Sequence, residues 1–280
     1  MFGSACLLFA MLATAGCTTI PPSTTMPANV REQGLVLKHG LPSVLPEESK
    51  PIGSSQMVLV PTESAAGLVV PLPFVSDVIE SGYHRYEASS LATRYASIDV
   101  FELVRQAMAG SPVLKAGAGK FPLLPIAYLV QCDDAVYRVA LSGRVEAGTW
   151  TGRYTVHLPT AVSNRALAAG ASATIATLKN ELDDAATVLR QLLERDASGS
   201  LDAAQYRADI GSMHLNCGKV AGLISPNLLR ALGAEILEEG PDHFIVRVAG
   251  DLHGSGPGGG LMYGIHYLRK DQIHTFKRKP

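Results

Sequence analysis

Net charge is almost absent from this chain: 24 Lys and Arg residues stand against 25 Asp and Glu, leaving a formal charge of -1. That balance supplies no long-range field to gather nucleic acid or an acidic surface, and no nucleic-acid partner is expected. Catalytic signatures are equally scarce. No Ser lies in G-x-S-x-G, which removes the strongest signal of a serine hydrolase. The eight His residues form neither H-E-x-x-H nor a Cys-His zinc spacing. His253, His266 and His274 fall close together in sequence on neighbouring elements, but each reads as an isolated histidine, so no metal ligand is assigned.

Near misses fail at the positions that carry the chemistry. Gly117-Ala118-Gly119-Lys120 lacks the first Gly of a phosphate loop, and Phe121 replaces its Ser or Thr. Asp196 to Asp202 alternates oxygen-bearing side chains like a calcium loop, yet Arg207 occupies the place of the bidentate Glu. The acidic pairs Asp133-Asp134, Asp183-Asp184 and Glu238-Glu239 read as solvated surface. No cofactor and no catalytic residue is expected from these patterns.

Hydrophobic residues make up 47% of the 280, enough to bury a substantial core. The first seventeen residues carry no charge and hold an apolar run from Ala5 to Ala13, too short to span a bilayer as a helix. With the small residues Ala13 to Gly16 after it, the run has the form of a secretory signal. Thr14-Ala15-Gly16-Cys17 resembles the lipobox of bacterial lipoproteins. The resemblance covers about the first twenty residues and implies that 1–16 are a signal peptide. Cys17 would then be the acylated first residue, with the membrane as a partner through its lipid. Thr18 stands where an Asp would mark inner-membrane retention, so the implied address is the outer membrane, facing the periplasm.

Of the four cysteines, Cys6 would leave with the signal and Cys17 would carry lipid. Cys132 and Cys217 remain, and an oxidising periplasm favours pairing them; the alternative is two separate buried thiols.

Residues 17–56 are rich in Thr, Pro and Ser and read as a tether with one short edge segment at Leu35-Val36-Leu37. A single α+β domain is expected over 57–280, with antiparallel strands in hairpins and meanders covered by a few helices. Its clearest signal is alternation: Tyr137, Val139, Leu141 and Val145 against Arg138, Ser142, Arg144 and Glu146. Trp150, Tyr154 and Val156 then alternate with Thr151, Arg153, Thr155 and His157. With the run from Leu124 to Cys132 these predict a three-stranded meander. A helix over Ala173 to Asp196, with Leu178, Leu182, Ala185, Leu189 and Leu192 in register, is its expected cover. A shorter helix is expected over Pro226 to Leu232.

The glycine-rich run Gly254, Ser255, Gly256, Pro257, Gly258, Gly259 and Gly260 is longer than a tight hairpin needs and is the candidate for ligand or partner contact. The functional expectation is an envelope lipoprotein acting as a non-catalytic binding or structural module, with another envelope protein as the candidate partner. The alternatives are a hydrolase of an envelope substrate and an inhibitor that protects against a toxin.

Overall fold

The computed structural model describes residues 25–42, 45, 49–61, 85–115, 117–132, 136–212, 214–215, 230–248 and 263–280. Among these, eleven strands form one sheet: β1 (Leu35–Leu37), β2 (Lys50–Ile52), β3 (Met57–Val60), β4 (Phe121–Gln131), β5 (Val136–Ala147), β6 (Trp150–Ser163), β7 (Tyr206–Gly211), β8 (Arg230–Glu239), β9 (His243–Val248), β10 (Gly264–Arg269) and β11 (Thr275–Arg278). The helices are α1 (Ala28–Gln33), α2 over 85–94, α3 (Val100–Ala107), α4 (Asn164–Ala169) and α5 (Ser172–Ala197).

The strand order is β11-β7-β8-β9-β10-β6-β5-β4-β3-β2. The meander β4-β5-β6 lies at its centre and is antiparallel throughout. On its outer side β4 is bordered at two heights by parallel strands. β1 pairs with Phe121 to Leu123, and β3 pairs with Ala127 to Val130. On the other side β10 runs parallel to β6, with Ile265 opposite Tyr154 and Tyr267 opposite Val156.

This corrects the expected fold class. The molecule is not a set of antiparallel hairpins under helices but a single large mixed sheet in which three of the ten pairings are parallel. Alternation identifies a strand and its apolar face, but it carries no information about which distant strand lies alongside or in which direction. Parallel pairing needs a long crossover, and here α2 and α3 intervene between β3 and β4, and α5 between β6 and β10.

One face of the sheet carries the helices. Tyr137, Val139, Leu141, Val145, Tyr154, Val156 and Leu158 all point to it, as their alternation predicts. Leu178, Leu182, Ala185, Leu189 and Leu192 of α5 pack on them, joined by Val100, Leu103 and Val104 of α3 and Leu91 of α2. The α3 start is fixed by Asp99, whose side chain accepts from the Glu102 N–H at 3.0 Å. α5 begins one residue earlier than expected: Ala171, not Ser172, is its N-cap, and it has no side-chain cap bond.

Packing also reaches into the segment read as tether. Met26, Val30, Leu35 and Ile52 are buried in the same core, and α1, β1 and β2 fall before residue 57. Each apolar stretch there is only three or four residues long, below the length at which periodicity is readable. At the other end, residues 230–232 of the expected helix over Pro226 to Leu232 belong to β8; its remainder lies outside the described residues.

Candidate functional site

The second face of the sheet is divided. At one end Val58, Val60, Ile126, Tyr128, Val130 and Cys132 form an apolar cluster. At the other, Ala208, Ile210, Ile236, Phe244, Val246 and Leu268 form another. Between them β5, β6 and β10 place polar side chains on this face: Arg138, Ser142 and Arg144; Arg153, Thr155 and His157; and His266. These are the polar partners of the alternation that predicted the strands. Ser142, Thr155, His157 and His266 are nonetheless buried, His266 completely. Burying polar groups at the centre of a sheet is costly unless they are bonded, so the bonds each one makes define the site.

Three histidines meet at one end of this strip. His157 Nε2 lies 3.1 Å from His266 Nδ1, one nitrogen donating and the other accepting, and the two rings stack with centroids 5.4 Å apart. His214 meets His157 edge-on at 6.0 Å. Burial first, then the neighbouring His266 and His214, hold His157 well below its ordinary pKa. Its imidazole is therefore neutral. The surrounding backbone is tied by Gln272, whose side-chain amide donates to the Leu158 carbonyl at 2.8 Å. Ser212 Oγ donates to the Gln272 carbonyl at 2.7 Å and accepts from the His214 N–H at 3.1 Å. A cavity of about 10 Å³, room for one water, opens between Val130, Arg138, Thr155, His157 and His214.

Arginines occupy the other end. Arg144 and Arg153 stand directly opposite each other on β5 and β6, a like-charge pairing that is unfavourable in a sheet. Arg144 Nε lies 3.0 Å from the half-exposed carboxylate of Glu146. Desolvation, with a smaller push from Arg144, pulls the Arg153 pKa down to about 10 against the opposing effect of Tyr128 and Tyr263. Nε and Nη1 of Arg153 are sealed from solvent and have no hydrogen-bond partner among the described residues. Burial likewise raises the Tyr128 phenol, against the opposing effect of Arg153 and Arg144.

Among the residues singled out from the sequence, Cys132 is buried just beyond the end of β4. Cys17, Cys217 and the run Gly254 to Gly260 lie outside the described residues. His266 is drawn into the His157 cluster; His253 also lies outside the described residues. Among the described residues, no group of three His, Cys, Asp or Glu side chains is placed to hold a metal ion, the His157 cluster included. The strip itself went unrecognised in the sequence, although its residues were legible as the polar face of β5 and β6. The missing information was that this face is covered.

Compared with known protein families, curated proteins and solved structures, the chain matches none. Among the described residues, no helix is long and apolar enough to cross a membrane.

Proposed function

We propose that this chain is a bacterial lipoprotein, acylated at Cys17 and held at the periplasmic face of the outer membrane, whose sheet domain is a non-catalytic binding module. The anchor rests on Thr14-Ala15-Gly16-Cys17 and the apolar run before it. The binding role rests on one observation: a buried polar strip crosses the middle of an otherwise apolar sheet face. A surface built for stability alone would place apolar residues there.

The histidines favour binding over catalysis. The ring of His157 bonds to another imidazole, not to a carboxylate that would orient it or a hydroxyl that it would activate. Pairing of Cys132 with Cys217 belongs to the same reading, because an exported chain would be oxidised in the periplasm. The buried position of Cys132 agrees with a structural bridge.

Intact mass of the membrane-extracted chain tests the reading. A diacylglycerol-sized increment on a chain beginning at Cys17 is expected, with a gain of two hydrogens on reduction. A Cys17→Ala chain should leave the membrane fraction. An unmodified chain that retains Met1 would overturn the anchor.

A further inference from the structure

We propose that the Arg153 end of the polar strip is a binding site for an oxyanion, the carboxylate or phosphoryl group of a ligand, with Arg153 as its buried anchor. The inference deepens the binding-module reading and rests on it for the biological role of the ligand.

The geometry carries it. Nε and Nη1 of Arg153 are donors closed off from water with no acceptor among the described residues. Buried guanidinium groups are normally paired, since an uncompensated buried charge is strongly unfavourable. This protein follows that rule elsewhere: Arg247, on the helix-bearing face, has Nη1 on Glu235 at 3.0 Å and Nη2 on the Leu201 carbonyl. Among the described residues, these two donors of Arg153 meet no carboxylate. Its cross-strand neighbour is a second arginine, Arg144, which lies against the half-exposed carboxylate of Glu146.

The phenols complete the character of the site. Tyr128 and Tyr263 are both buried and both close enough to act on the charge of Arg153. Burial raises the Tyr128 phenol and keeps it a neutral hydroxyl. Arginine donors flanked by phenol hydroxyls match the planar or tetrahedral oxygens of a carboxylate or phosphoryl group far better than a spherical halide. Even at a pKa lowered to about 10, the guanidinium remains charged at neutral pH and keeps its demand for a counter-charge.

Thermal unfolding of the purified full chain tests the site, with chloride exchanged for inorganic phosphate or for acetate at constant ionic strength. At least one oxyanion is expected to raise the midpoint progressively with its concentration, as binding to the native state alone requires. Arg153→Met keeps the length of the side chain without its charge. It should lose that rise and melt above the wild type in chloride, because its buried charge is gone. Arg153→Lys, which retains charge without the planar fork, should respond only at higher oxyanion concentration. A midpoint that moves no more in phosphate or acetate than in chloride overturns the proposal, as does an Arg153→Met chain responding like the wild type. If Arg153→Met does not fold, an Arg153→Lys response identical to the wild type overturns it. Phosphatidylglycerol vesicles in place of phosphate identify the source. Protection by soluble phosphate alone marks a free ligand, and protection by the vesicles marks a lipid headgroup, each supporting the oxyanion site. Failure of the melting test leaves the Cys17 anchor standing, and a chain that retains Met1 leaves the oxyanion site standing.

Discussion

The Tyr154 hydroxyl donates a 2.6 Å hydrogen bond to Oδ2 of Asp196, joining the middle of β6 to the last turn of α5. Both residues are buried, the carboxyl completely. Burial raises the Asp196 pKa above 3.8, and this outweighs the opposing pull of the Tyr154 bond and of Arg247 and Arg31. The bond thus stitches the long helix to the sheet at the cost of placing a titratable acid inside the core.

The pH dependence of stability follows from that raised value. The native state holds the Asp196 proton more tightly than the unfolded chain does. Its contribution to stability is therefore greatest in acid and declines as the pH rises from 3.8 through the raised native value. Denaturant unfolding of the wild type and Asp196→Asn across pH 3 to 7 isolates the effect. The stability of the wild type relative to the variant should fall as pH increases; a constant difference would refute it.

Removing the hydroxyl should be felt directly. Tyr154→Phe leaves the Asp196 carboxyl buried without its phenol partner, a loss of about 1.5–3 kcal/mol for a hydrogen bond to a charged group. Urea midpoints at pH 7 measure it, and a loss below about 0.5 kcal/mol would mean that the bond contributes little net stability.

Gly143 makes room for the helix layer. A Cβ placed there would lie 3.1 Å from Cδ1 of both Leu123 and Leu189, tighter than relaxed packing allows. Gly143→Ala is expected to cost about 1–3 kcal/mol by overpacking. Leu189→Ala, which empties a fully buried position on α5, should cost about 2–5 kcal/mol. Because the new methyl would fill part of the space left by Leu189, the double variant should lose less than the sum. Strict additivity in denaturant unfolding would contradict the contact.

Gly264 fixes where β10 meets β6. Its φ of +116° is a conformation that L side chains rarely adopt, and an added Cβ would fall 2.2 Å from the Arg153 carbonyl oxygen. Gly264→Ala should cost about 3 kcal/mol or more. Hydrogen exchange should accelerate first in β10 and the facing half of β6. Uniform acceleration across the sheet would show that the parallel pairing does not depend on this approach.

Local pattern was sufficient where one face is apolar and the neighbour is close in sequence. The alternation of Tyr137, Val139 and Leu141 against Arg138 and Ser142 located β5, and the spacing of Leu178, Leu182, Ala185 and Leu189 located α5 and its buried stripe. The same reading failed for Met26, Val30 and Leu35, whose elements are too short to show a period and are ordered by the core they join.

What the sequence by itself determined is the set of central strands and the face each turns to the helices. These depend on residues within a few positions of one another, where side-chain periodicity and short motifs carry the physics. Only the tertiary structure decided that β10 lies parallel to β6, that β1 and β3 share one edge of β4, and that the polar face of β5 and β6 is buried. Strand direction and burial of a polar face are set by contacts between segments far apart in the chain. A strand reading Arg138, Ala140, Ser142 and Arg144 on alternate positions is the same string whether it meets water or protein. Its meaning changes only when the cover is in place, and then Nε and Nη1 of Arg153 become buried donors with no acceptor among the described residues.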